Sequence, residues 1–244
     1  MTSISEKGHV LNAVHFDEFL KLILTFNYQP SNERLKTEPM KIMLTNCKKA
    51  LNDVSQTLAV FKAAVDERES LFSNMNKLIS RIINILKSSD APDTTVETCK
   101  SIARKLSGRR ATLKRSPEKI KEDQEAGILI RENSSSQRSY DNQVENFLML
   151  VEQIINVPAY NPNEADLQKE NLTKLAEELK EKNSEVVSAR TALKDARTRR
   201  DNLMYKKDTG LVDIALDAKS YIRGAFGPSS AEFRKVAKLE FSRN

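Results

Sequence analysis

Residues 172–203, LTKLAEELKEKNSEVVSARTALKDARTRRDNL, decide the fold. Counting by alternate threes and fours from Leu172 reaches Leu175, Leu179, Lys182, Val186, Ala189, Leu193, Ala196, Arg200 and Leu203. That is a heptad seam sustained over more than four heptads. A helix carrying it runs to about 36–42 residues, roughly 55–60 Å at 1.5 Å per residue. With a single apolar stripe, it must lie against other helices to bury that stripe.

The same register recurs earlier, through Met40, Met43, Cys47, Ala50, Val54, Thr57, Phe61, Ala64, Arg68 and Leu71. The offset between the two seams is 132 residues, and it is also the offset between Tyr28-Gln29-Pro30-Ser31 and Tyr160-Asn161-Pro162-Asn163. Identities continue along it, among them Leu35 with Leu167, Lys62 with Lys194 and Arg68 with Arg200. Together these read as an internal repeat, with copies over about 15–106 and 143–241. The organisation expected is a first helical repeat at 1–106, a basic flexible linker at 107–140 and a second helical repeat at 141–244. The fold class is all-α, a helical bundle built from two copies of a long-helix unit with coiled-coil-like heptad seams.

Within each copy the pattern predicts a short first helix near His15–Phe26 or Gln143–Asn156. The Tyr-x-Pro element follows, with Ser31 or Asn163 available to cap the next helix. In the first copy Thr37 caps the long helix, with Pro39 in its first turn. Third helices are predicted near Met75–Lys87 and Leu211–Phe226. Thr94-x-x-Glu97 and Ser229-x-x-Glu232 have the spacing of capping boxes for a last short helix.

Several of these stretches carry a resemblance. The Tyr-x-Pro-Ser/Asn element, Thr209-Gly210-Leu211-Val212-Asp213-Ile214-Ala215-Leu216-Asp217 and the tail from Tyr221 to Ser230 resemble a family of uncharacterised bacterial helical proteins. The resemblance covers nearly the whole chain. It implies the two-copy layout with a variable, basic linker, and it transfers no activity and no functional residue.

Composition agrees with long helices. The chain has 244 residues, 39% hydrophobic, with only 6 glycines and 7 prolines, fewer than a β-rich protein spends on tight turns. No 18-residue apolar run suits a membrane span, and the first twenty residues hold no signal-peptide core. Cys47 and Cys99 sit on apolar helix faces as small buried thiols, and the expected location is the cytoplasm.

Charge is concentrated. Arg104, Lys105, Arg109, Arg110, Lys114, Arg115, Lys119 and Lys121 fall within 104–121 beside one acid, Glu118, so this segment carries +7 of the net +6 and the remainder sums to −1. Such a run attracts nucleic acid or anionic lipid in a salt-dependent way. It lacks an aromatic for base stacking, so binding through it would be blind to sequence. It also reads simply as a linker kept soluble by charge.

Catalytic and metal motifs are missing. The two histidines, His9 and His15, have no Cys or carboxylate around them at metal-ligand spacing. No Cys-x-x-Cys, His-Glu-x-x-His, Gly-rich phosphate loop or Gly-x-Ser-x-Gly occurs. No catalytic residue, metal or cofactor is therefore expected. Arg68 and Arg200 stand where the seam calls for apolar residues. Either the stem packs while the head reaches water or a helix-surface acid, or the head forms a buried ion pair that fixes register. Lys182 is expected to snorkel.

The leading expectation is a non-catalytic interaction or scaffold protein with a protein partner or self-association. Polyanion binding by the basic segment is the alternative, and a helical pore-forming or injected protein is a third. Limited trypsin digestion should cut first near Arg109–Lys121 and release two helical fragments. Cleavage elsewhere, with resistance there, would contradict the linker assignment.

Overall fold

The computed structural model describes residues 4–108, 125–126 and 138–243, and of residues 4–7 the backbone only. Every regular element among them is helical. The order is α1 (Ile4–Ile23), a 3₁₀ turn at Glu33–Leu35, α2 (Thr37–Phe72), α3 (Met75–Ser88), α4 (Asp93–Leu106), α5 (Tyr140–Ile155), a second 3₁₀ turn at Ala165–Leu167, α6 (Lys169–Tyr205), α7 (Leu211–Phe226) and α8 (Ala231–Ala237). The two long helices have 36 and 37 residues. No described helix is long and apolar enough to cross a membrane.

Helix ends depart from the sequence reading in instructive ways. The first helix begins at Ile4, eleven residues before the expected start, because its early turns bury polar side chains, His9 and Asn12, that apolar periodicity does not register. Helix α4 starts at Asp93 behind Pro92 and makes no side-chain cap bond. Thr94 is already inside the helix, and Glu97 pairs with Lys100 at 2.5 Å. Ser230 rather than Ser229 caps α8, accepting the Phe233 N–H at 3.1 Å. Asn32 rather than Ser31 caps the first 3₁₀ turn, accepting from the Arg34 N–H.

The Tyr-x-Pro elements are both built around one hydrogen bond. The Tyr28 hydroxyl donates to the Leu35 carbonyl at 2.9 Å, and the Tyr160 hydroxyl donates to the Leu167 carbonyl at 3.1 Å. Each bond closes the loop between a short helix and a long one, and Leu35 and Leu167 are both buried there. Burial pushes the Tyr160 hydroxyl up to about 12, so it remains a donor at any ordinary pH. Gly210, between α6 and α7, is held by close approach. A Cβ there would lie 2.7–2.9 Å from backbone atoms of Met204 and Lys206. Gly227 ends α7 at φ +93°, a conformation that favours glycine.

The chain divides into two compact units by its internal contacts. One is made of residues 1–62 and 188–244, the other of 63–187. The divisions fall inside α2 and α6, so each long helix gives one half to each unit. The core of the first unit joins Phe16, Phe19, Ile23, Met40, Leu44 and Cys47 to Met204, Leu211, Ile214, Ala215, Ile222 and Val236. The core of the second joins Phe72, Ile79, Ile82, Leu86, Cys99 and Ile102 to Phe147, Leu150, Ile154, Leu167, Leu172 and Leu179. Full burial of such side chains is worth about 1.5–3 kcal/mol each.

Both units therefore draw on both sides of the 107–140 segment. In place of the release of separate fragments expected from the sequence, trypsin nicking within that segment should leave the two fragments bound to each other, eluting as one species from a sizing column and separating only in denaturant. Fragments that separate in native buffer would contradict this division. Tyr160→Phe, which strands the Leu167 carbonyl in a buried site, should cost about 1–3 kcal/mol in urea unfolding. Tyr28→Phe, at the more exposed position, should cost less.

Candidate functional site

Two polar clusters interrupt the apolar interior, each next to one of the seam arginines. In the unit formed by 63–187, the Arg68 guanidinium lies over the Tyr140 ring, 3.8 Å from its centroid. Its Nη1 donates to Asn183 Oδ1 at 3.1 Å, and Asn183 Nδ2 donates to Asp141 Oδ1 at 2.6 Å. Tyr140 meets Phe72 edge to face, with ring centroids 4.9 Å apart. The Nε of Arg68 is buried without an acceptor. The sequence reading offered water or a carboxylate as the end point of this head. The structure gives it an amide and an aromatic face.

Asn183 adjoins Lys182, the residue expected at the seam. It is buried while Lys182, one residue earlier, is half-exposed. Lys182 reaches Glu67 at 2.9 Å and Glu185 at 3.0 Å. Those hydrogen bonds, Glu67 first, hold its ammonium above the usual lysine range.

In the other unit, Arg200 is 4% exposed, and its Nε and Nη2 donate to Asp201 Oδ1 at 2.9 and 2.8 Å. The same oxygen lies 3.1 Å from His9 Nε2. His9 is buried, with its ring edge-to-face to Tyr205 at 5.3 Å. Asn12, beside it, donates to the Ser242 carbonyl at 2.9 Å and accepts the Ser242 N–H at 3.2 Å. Because Asp201 is half-exposed, this arginine matches the reading in which the head meets a helix-surface acid.

A histidine bonded to a carboxylate is the orienting part of an acid–base pair, yet chemistry also needs a nucleophile or a substrate pocket beside it. The thiols do not supply one. Both are fully buried, and burial pushes Cys47 up to about 12, so it stays protonated and unreactive. Among the described residues no group of three His, Cys, Asp or Glu is placed to hold a metal ion. The contacts of the first cluster join α2, α5 and α6, and those of the second join α1 to α6 and to the C-terminal tail.

Of the basic segment, Arg104 and Lys105 stand in the last turn of α4, where cations favour the carbonyl end of a helix. Arg104 donates to Ser101 Oγ at 3.2 Å, and Lys105 is exposed. Arg109, Arg110, Lys114, Arg115, Lys119 and Lys121 lie outside the described residues. Comparison with known proteins finds no matching family model, no similar curated protein and no similar solved structure.

The Arg68 geometry sets an expected cost. A charged hydrogen bond contributes about 1.5–3 kcal/mol, and stacking on Tyr140 about 0.5–1 kcal/mol more. Arg68→Ala should therefore lower urea stability by about 2–4 kcal/mol, and Arg68→Lys should recover little of it, since lysine cannot lie flat on the ring while reaching Asn183. A loss below about 1 kcal/mol would mean that the head spends its time in water.

Proposed function

We propose that this protein is a non-catalytic helical scaffold that works through protein contacts, self-association included. The observation that carries the proposal is the outer side of α1. Val10, Leu11 and Val14 are each slightly more than half exposed and adjoin one another at helical spacing, while His9, Asn12, Ala13 and Phe16 fill the opposite side. Single exposed apolar residues are ordinary on any surface. Three together on one helix side favour a partner. The use of the buried polar groups in helix-to-helix bonds, and the unreactive thiols, fit the same reading.

The two-copy layout belongs to this proposal. It is supported by the paired Tyr28–Leu35 and Tyr160–Leu167 bonds and by the similar order of elements after each. On that reading, each compact unit takes its first helix and Tyr-x-Pro element from one copy and its third and fourth helices from the other. The coiled-coil-like seam is supported by burial of Met40, Cys47, Ala50 and Val54 in α2 and of Leu172, Leu179, Val186, Leu193 and Ala196 in α6. It is an imperfect seam, since Leu44 rather than Met43 is fully buried.

The test is a Val10→Asp, Val14→Asp variant. Both changes are at exposed positions, so the thermal melt should stay within a few degrees of wild type. Wild type should gain mass with concentration in sedimentation, or retain a defined partner on capture from its native cells, and the variant should do neither. A wild-type chain that stays monomeric at about 100 µM and retains nothing would sink the scaffold reading.

A further inference from the structure

The positive charge has a second location besides 104–121. The unit made of 1–62 and 188–244 holds 21 Lys and Arg against 13 Asp and Glu, a balance of +8, whereas residues 63–187 hold 19 against 21. The excess is densest on the C-terminal half of α6. From Ser188 to Arg200 there are five cations and one acid, Asp195. Arg200 is buried against Asp201, but Arg190, Lys194, Arg197 and Arg199 are all exposed.

Arg190, Lys194 and Arg197 follow at i, i+4 and i+7, so they form one stripe along a helix side, about 10 Å long at 1.5 Å per residue. Arg190 and Lys194 are like charges at i, i+4, a placement that opposes helix formation. Nor does the fold position demand cations. At the 132-residue offset, Leu58, Lys62 and Val65 stand where the stripe has Arg190, Lys194 and Arg197, a comparison that rests on the two-copy reading above.

We infer that this stripe is a contact surface for the phosphate backbone of nucleic acid. Cations in line on a rigid helix fit a polymer that presents one charge per about 3.4 Å of each strand, and arginine can hold phosphate through two parallel N–H bonds. A bilayer surface fits less well. Helices that lie on membranes bury an apolar face in the lipid, and here the apolar face of this segment, Leu193 and Ala196, is already packed with Val54 inside its own unit. No aromatic residue occurs from Ser188 to Arg200. The contact therefore reads phosphate and not base sequence.

The test uses the full-length chain and labelled 20-mer DNA and RNA of unrelated sequences, followed by fluorescence anisotropy between about 50 and 200 mM salt. Three phosphate contacts predict a loss of about 40-fold in affinity over that interval. Arg190→Gln with Lys194→Gln should reduce the log–log salt slope by about 2, and addition of Arg197→Gln by about 3 in total, with circular dichroism melts checking each fold. The same reductions should appear when Arg109, Arg110, Lys114 and Arg115 are already Gln, which separates the stripe from the 104–121 segment. Lys36→Gln with Lys41→Gln removes equal charge elsewhere in the same unit and should leave the slope unchanged. The inference is overturned by absence of binding at 50 mM, by stripe variants with the wild-type slope, by an equal effect of the Lys36 and Lys41 control, or by binding to phosphatidylserine-containing vesicles without binding to either nucleic acid. The scaffold reading fails or stands on the α1 variant, independently of these outcomes.

Discussion

A helix of 36 or 37 residues with a single apolar stripe has no stable existence in water, and the rest of this structure answers that constraint. Helix α2 buries Met40, Leu44 and Cys47 in one core, and Phe72 at its far end in another. Helix α6 does the converse, with Leu172, Ala176 and Leu179 in the second core and Met204 in the first. One small core cannot cover a stripe about 55 Å long. The shorter helices therefore gather at the halves of the long ones and complete two separate interiors.

Polar residues within the stripes define how the helices meet more than how tightly they hold. Burying a guanidinium costs desolvation that its bonds only partly return. The two arginines meet this in different ways. Arg68 finds a ring and an amide, and its Nε remains without an acceptor. Arg200 shares a half-exposed carboxylate with His9. Both arrangements tolerate only a narrow range of helix rotations, which an all-apolar seam would not impose. Lys219 shows the same economy at a helix end. Its ammonium donates to the carbonyl of Ala237, the last residue of α8, and to that of Leu239 just beyond it, and burial lowers its pKa there.

The helices were legible because their periodicity is local: each three- or four-residue step can be checked along a single strand of text. Leu211–Phe226 emerges with its expected ends for that reason, and Arg68 and Arg200 stand out as exceptions to a pattern. Their partners do not stand out. Asn183 and Tyr140 come from other helices, and nothing in the spacing around Arg68 points to them. The early start of α1 was hidden because His9 and Asn12 are polar by type and buried by circumstance. The division into 1–62 with 188–244, and 63–187, was hidden too, since it depends on which distant segments pair. The +8 of the first unit became visible only once those segments were grouped. Summed along the chain instead, it disappears into a remainder of −1.

The order in which the chain leaves the ribosome gives the division a kinetic side. Residues 63–187 are contiguous, so all the parts of that unit exist before the last quarter of the chain is made. The other unit is closed by contacts of long reach, such as Asn12 with Ser242, 230 residues apart. Contacts of high sequence separation form slowly, and incomplete units expose apolar surface while they wait. Met40, Leu44 and Cys47 of α2 are available early to cover part of Phe16, Phe19 and Ile23 on α1, and the remainder of that apolar surface waits for α7.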